Sequence, residues 1–207
     1  ARDQVQRAWP VAPDQDTLQR RWRELLADPS ADARAEKYVT GHSGRTIHTA
    51  VSGLTPLAAL PADAEHRPIT RVAWRSFDRQ WTFDDPRLIN LERPALWQAL
   101  SDRQLFFVSP KTARISGGPA VTVATAVPDL HYYNNRGGKD VIPLYRDAEA
   151  AQPNVTGGLL PLLGERYGRE VTPEDLAAYV MGIAGHDAYV QRFDEALEGS
   201  PVRVPLT

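Results

Sequence analysis

The residues of this 207-residue chain best equipped for chemistry lie in one glycine-rich stretch, His131-Tyr-Tyr-Asn-Asn-Arg-Gly-Gly-Lys139. A smaller stretch upstream holds Lys111, Arg114, Gly117 and Gly118. Asparagine offers the paired donor and acceptor that match the edge of adenine, and arginine offers the two donors that suit guanine. Tyrosine offers a face for stacking or for a thymine methyl. Lysine and arginine beside them suit phosphate contacts, which set register without reading sequence. On residue types alone the same stretch is equally a polar surface loop. Its paired glycines are equally hairpin ends or backbone that can approach an anion.

No comparable set exists for catalysis. Gly-x-Ser-x-Gly, the P-loop and the dinucleotide Gly-x-Gly-x-x-Gly are all missing. The five histidines, His42, His48, His66, His131 and His186, show no metal-ligand spacing and read as structural or solvated. Asp187 reads as a helix cap and Asp84-Asp85-Pro86 as a turn. Zero cysteines exclude disulfides, a thiol nucleophile and thiolate-bound zinc, and suit a cytoplasmic protein. Neither a catalytic nor a metal site is expected. No apolar run approaches the ~18 residues needed to cross a bilayer, so no membrane partner is expected either.

A net charge of −2 lacks the strong basicity of many isolated DNA-binding domains. A DNA reading therefore requires lysine and arginine to cluster on one face, or a basic partner. Residue 1 is Ala, not Met, which fits a piece excised from a longer polypeptide.

The elements that must position these residues follow from periodicity. The opening dozen residues, with two prolines, read as a linker. Asp16 or Thr17 caps a helix carrying Leu18, Trp22, Leu25 and Leu26 on one face. Ile47, Thr49 and Val51 alternate as a half-buried strand. The stretch Arg71–Trp81 reads as a strand, with Val72 and Trp74 facing one way and Arg71, Ala73 and Arg75 the other. Further strands are expected over 105–108, 121–127 and 141–145. Helices follow over 159–167, closing at Gly168, and from Thr172-Pro-Glu-Asp to Ala184. A last helix takes Tyr189, Val190, Phe193 and Leu197, before an extended tail.

With these residues in view, the chain from about Ile69 to Thr207 resembles the C-terminal specificity domain of type ISP restriction–modification enzymes and related adenine-specific DNA methyltransferases. The likeness rests on three short markers in order: Arg75-Ser-Phe-Asp-Arg-Gln-Trp81, Ile142-Pro-Leu-Tyr145, and Tyr179…His186…Tyr189 before Arg203-Val-Pro. Ser76 stands where the family motif has proline, and Gln80 where an arginine is expected. The resemblance implies an α+β fold, a curved, mostly antiparallel sheet with helices packed at the C-terminal end. It implies a helical connector over residues 1–65 and a target-recognition domain over 66–207.

The implied function is double-stranded DNA recognition without catalysis. A separate methyltransferase domain of the same polypeptide or complex would use S-adenosylmethionine on a flipped adenine. The residues implied to contact DNA are Lys111, Arg114, Tyr132, Tyr133, Asn134, Asn135, Arg136 and Lys139. Arg75 and Asp78 are expected to pair inside the sheet, with Phe77 and Trp81 in the core. The alternative is a protein-interaction module that holds the catalytic subunit of a DNA modification or defence complex.

Overall fold

The computed structural model describes residues 9–38, 45–89, 93–110, 118–133, 139–197 and 202–206, with Lys139 by its backbone alone. The fold is α+β, with two mostly antiparallel sheets of strand order β1-β3-β2-β6 and β5-β4-β7. The chain divides into two compact units, Ala1–Val72 with Arg79–Arg93, and Ala73–Asp78 with Pro94–Thr207. This differs from a boundary near residue 65. The hairpin of β2 (Ile69–Arg75) and β3 (Asp78–Phe83) supplies its base to the first unit and its tip to the second.

In the first unit, helix α1 (Gln15–Ala27) starts at Asp14, whose carboxylate accepts from Thr17 N at 2.7 Å. The cap thus falls just before the expected Asp16 or Thr17. Leu18, Trp22, Leu25 and Leu26 are buried as their spacing requires. They pack with Phe83, Leu88 and Trp9. Trp9 corrects the reading of the opening residues as a linker. Its ring meets Tyr38 edge-on at 5.1 Å, and Val11–Ala12 forms β1 against Thr82 and Trp81 of β3. Trp81 packs part-buried against this core, with the Arg71 guanidinium 4.1 Å from its ring centroid.

Two buried arginines tie the loops of this unit together. Arg34 of α2 (Ala31–Lys37) donates to the carbonyls of Leu26, Asp28, Leu57, Ala58 and Leu60. Arg87 pairs with fully buried Asp85 through Nε–Oδ1 at 2.9 Å and Nη2–Oδ2 at 2.6 Å, and donates to Thr55 O at 2.7 Å. The expected strand over 45–51 is a turn. Thr49 Oγ1 accepts from Thr46 N at 2.8 Å and Thr46 Oγ1 from His48 N at 3.2 Å, so hydroxyls take the place of a strand partner. Ile47 is still buried, because the turn points it into the core.

The second unit is built on β4 (Phe106–Pro110), antiparallel to β5 (Thr122–Ala124) on one side and β7 (Lys139–Pro143) on the other. The single strand expected over 121–127 breaks after Ala124 and resumes as β6 (Val127–Pro128). Gln104 holds the sheet's near end. It is 1% exposed, its amide nitrogen donates to Ala99 O and Tyr145 O, and its oxygen accepts from Leu105 N and Tyr145 N. A short helix α3 (Pro94–Gln98) precedes it.

The C-terminal helices follow the local signals closely. Helix α4 (Leu159–Tyr167) closes at Gly168, which sits in the left-handed region at φ 64°. Helix α5 (Pro173–Ala184) opens with a complete capping box between Thr172 and Asp175. The expected last helix is two short ones, α6 (Asp187–Arg192) and α7 (Asp194–Leu197). His186, not Asp187, caps α6, with Nδ1 accepting from Ala188 N at 3.1 Å.

The closing marker of the sequence then acquires a physical role. Tyr189 OH donates to Arg203 O and Tyr179 OH to Pro205 O, each at 2.6 Å, while Val202 and Val204 pack beside Ala184 and Tyr189. The tyrosines pin the extended tail onto the helices. Tyr189→Phe is expected to cost about 0.5–1.5 kcal/mol. Faster amide exchange at Val202–Val204, with the protection of β4 unchanged, checks it.

Candidate nucleic-acid interface

The register of the three-stranded sheet decides where segments 111–117 and 134–138 join it. Pro110 lies opposite Lys139, and Val108 opposite both Val141 and Thr122. The chain therefore enters segment 111–117 and leaves segment 134–138 at one end of the sheet, opposite to the end that Gln104 holds. Lys111, Arg114, Asn134, Asn135 and Arg136 lie outside the described residues, and so does the side chain of Lys139.

The approach to the second loop is described in full. Asp129 N donates to Ala73 O at 3.0 Å, and the Asp129 carboxylate accepts from His131 N and from Arg75 Nη1, both at 2.8 Å. The ion pair bracing this part of the sheet thus joins Arg75 to Asp129. Expecting Asp78 as the partner looked along one hairpin, and the carboxylate comes from the end of β6. Arg75 also donates to Trp74 O, and its guanidinium lies 4.3 Å from the Trp74 ring centroid.

Tyr132 and Tyr133 are both anchored within the second unit. Tyr132 is 2% exposed and packs with Ala73, Val108, Ala124 and Ala126. Its carbonyl accepts from Ser76 N and Oγ, and its hydroxyl donates to Ser76 O at 3.3 Å. Burial takes its ring away from bases, so the expected contact residue is instead a brace. Tyr133 OH donates to Val108 O and meets Thr122 Oγ1 at 2.7 Å. Burial pushes its phenol up to about 12, so the hydroxyl stays protonated and holds this bond throughout the neutral range. Ser76 makes two bonds to Tyr132 O, one of them through an N–H that a proline there would lack.

At the hairpin tip, Phe77 is fully exposed. Its expected place in the core is overturned by the turn itself. Strand β2 ends at Arg75 and β3 begins at Asp78, and a side chain in a two-residue connection has no sheet face to lie on. Arg75, Ser76, Phe77, Asp78, Tyr132 and Tyr133 line an open recess around it. Sequence reasoning missed this convergence, because it depends on pairing between residues more than fifty positions apart. Among the described residues, no group of three or more His, Asp or Glu side chains gathers as a metal site. No helix among them is long and apolar enough to cross a membrane.

Comparisons with known proteins agree with this architecture. The structure is similar to part of a DrdV–DNA complex, with a TM-score of 0.60 and 18% identity over 98% of this chain and 20% of that one. It is also similar to part of a nuclease-deletion mutant of the type ISP restriction–modification enzyme LlaGI in complex with a DNA substrate mimic. There the TM-score is 0.55, with 16% identity over 96% of this chain and 16% of the other. A third likeness is to the ATP-dependent type ISP restriction–modification enzyme LlaBIII bound to DNA, with a TM-score of 0.52 and 15% identity over 97% and 13% of the two chains. This chain thus spans a fifth or less of those polypeptides. No curated protein matches it. The model of the type ISP C-terminal specificity domain matches residues 4–207, taking in the amino-terminal segment that the short markers did not reach. The chain belongs to the family of type ISP C-terminal specificity domains.

Proposed function

We propose that this domain reads double-stranded DNA for an adenine-N6 methyltransferase within a restriction–modification polypeptide or complex. The observation that carries the reading is the shared exit of the two loops from one end of sheet β5-β4-β7, set by the pairing of Pro110 with Lys139. Segment 111–117 brings Lys111 and Arg114, and segment 134–138 brings Asn134, Asn135 and Arg136. Together they combine phosphate contacts with groups for base edges. The similarity to three DNA complexes, two of them of type ISP restriction–modification enzymes, supports the same partner. This chain supplies recognition without catalysis. Adenine flipping and S-adenosylmethionine belong to a separate methyltransferase domain, acting in the cytoplasm.

Arg136→Ala is expected to cost about 1–3 kcal/mol at one base position and to relax specificity there. Mapping modified adenines in host DNA after expression of the parent polypeptide, with and without the substitution, tests both statements. Absence of any sequence-specific methylation or cleavage by the parent would overturn the reading.

Helix α4 favours a complementary role in assembly. None of its residues is buried, and Leu162 and Tyr167 are more than half exposed. A helix of sequence Leu-Leu-Pro-Leu-Leu left on the surface suits contact with the catalytic part of the polypeptide.

A further inference from the structure

Phe77 stands out among the exposed groups of the second unit because its exposure is enforced. It reaches 102% of its reference value, while the two residues before it are held in place. Ser76 is bonded to Tyr132 through N–H, Oγ and carbonyl, and Arg75 is locked by Asp129 and by the carbonyl and ring of Trp74. A phenylalanine on a disordered end would be exposed through lack of structure. Here the structure holds the ring outward, with buried Tyr132 as the floor beneath it.

What surrounds the ring narrows the partner. The recess beside it carries Arg75, Ser76 and Asp78, and Leu130 in the adjoining turn is half exposed. One projecting aromatic in polar surroundings is a poor anchor for a protein interface, which takes a broad desolvated patch. It does suit insertion between base pairs. Apolar wedges enter a step from the groove, unstack it in part and kink the duplex, and the bend brings more protein surface into contact. The tip is also tied to Tyr132, two residues before Asn134 in the chain.

We infer that Phe77 is a wedge that inserts into a base step of the DNA duplex. The inference rests on the DNA reading given above and adds to it an element that distorts the duplex without reading base edges. Unstacking also lowers the cost of extruding a neighbouring adenine, the step the methyltransferase domain requires.

The test uses this 207-residue chain and a fluorescein-labelled duplex of random sequence, titrated over a series of salt concentrations. Phe77→Ala is expected to weaken binding about 10-fold, and Phe77→Trp to retain it. The slope of log affinity against log salt should stay the same in both, because no phosphate contact is lost. Loss of a phosphate contact changes that slope by about 0.9. In parallel, 4-fluorophenylalanine at position 77 should show a shifted fluorine resonance on addition of duplex.

Unchanged affinity for Phe77→Ala and an unmoved resonance, with Arg136→Ala still weakening binding, would overturn the wedge and leave the DNA reading intact. A resonance moved only by the remainder of the parent polypeptide would also overturn it, in favour of a protein contact. Failure of the native chain to bind duplex at any salt would overturn both.

Discussion

Asp85→Asn is expected to destabilise the first unit by about 3–5 kcal/mol, a large share of the stability of a small unit. Asp85 is 0% exposed and Arg87 4%, and their two parallel hydrogen bonds form where no water can replace them. Removing the carboxylate charge leaves the Arg87 guanidinium desolvated without its counter-charge, and an amide NH2 at the Oδ2 position faces the Nη2 donor that bonded there. The amide oxygen can still accept from Arg87 N and Nε at the Oδ1 position, so the loss falls on the charge and on the Nη2 bond. Asp85→Leu combined with Arg87→Met should recover most of the loss, because an apolar pair of similar volume removes the stranded charge as well. Urea titration read by pulsed hydrogen exchange reports the two units separately and checks both variants. A fall in midpoint confined to the amides of α1 and β3 is the expected result. Equal stability of Asp85→Asn and the native chain would show that the pair is solvated.

This pair marks the limit of what the sequence could say about the fold. Asp84-Asp85-Pro86 reads as a turn, and the turn comes one step later, over residues 86–88 with Asp85 O accepting from Leu88 N, but nothing local tells that Asp85 is sealed at its start. Local signals did their work where the chemistry is local. The Thr172 capping box, the left-handed Gly168 and the apolar face of α1 each depend on residues within one or two helical turns, and the structure has all three. Local signals misled where two local solutions compete. Residues 45–51 alternate like a strand, but Thr46 and Thr49 close a hydroxyl-bonded turn with no strand partner needed.

The candidate interface shows the same division between local and long-range signals. The types of residue suited to base edges were evident, and the family markers led to the right family. Tyr132 illustrates what was missing. In sequence it stands in a run of nucleic-acid-friendly residues, and an aromatic there reads as a stacking surface. In the structure it is buried and bonded to Ser76, fifty-six positions away. Phe77 is the converse, an apolar residue placed by type in a core and by turn geometry in solvent. Both errors come from long-range pairing, which single-residue types do not encode.

Gln104→Leu is expected to cost the second unit about 4 kcal/mol or more, although position 104 carries no motif and no periodic signal. Leucine fills similar space, so the loss arises from stranded backbone groups. Leu105 N and Tyr145 N lose their acceptor, and Ala99 O and Tyr145 O lose their donor, with each stranded buried group worth about 1–3 kcal/mol. Gln104→Glu separates donor from acceptor. The carboxylate still accepts from the two N–H groups, but it faces the carbonyls of Ala99 and Tyr145 in a site 1% exposed. Burial raises the pKa of such an acid above its unfolded value, so the folded state binds the proton more tightly than the unfolded chain does. Stability is then retained below the unfolded pKa of about 4.3 and lost as pH rises through the folded one. Gln104→Glu should therefore lose stability relative to the native chain between about pH 5 and pH 8, while the deficit of Gln104→Leu stays flat over that range. Thermal unfolding of the three proteins across these pH values distinguishes a donor lost from a charge buried. Identical profiles for the two variants would mean that water reaches the site. Gln104 thus joins the entry of β4 to the exit of β7, at the end of the sheet opposite to the pairing of Pro110 with Lys139.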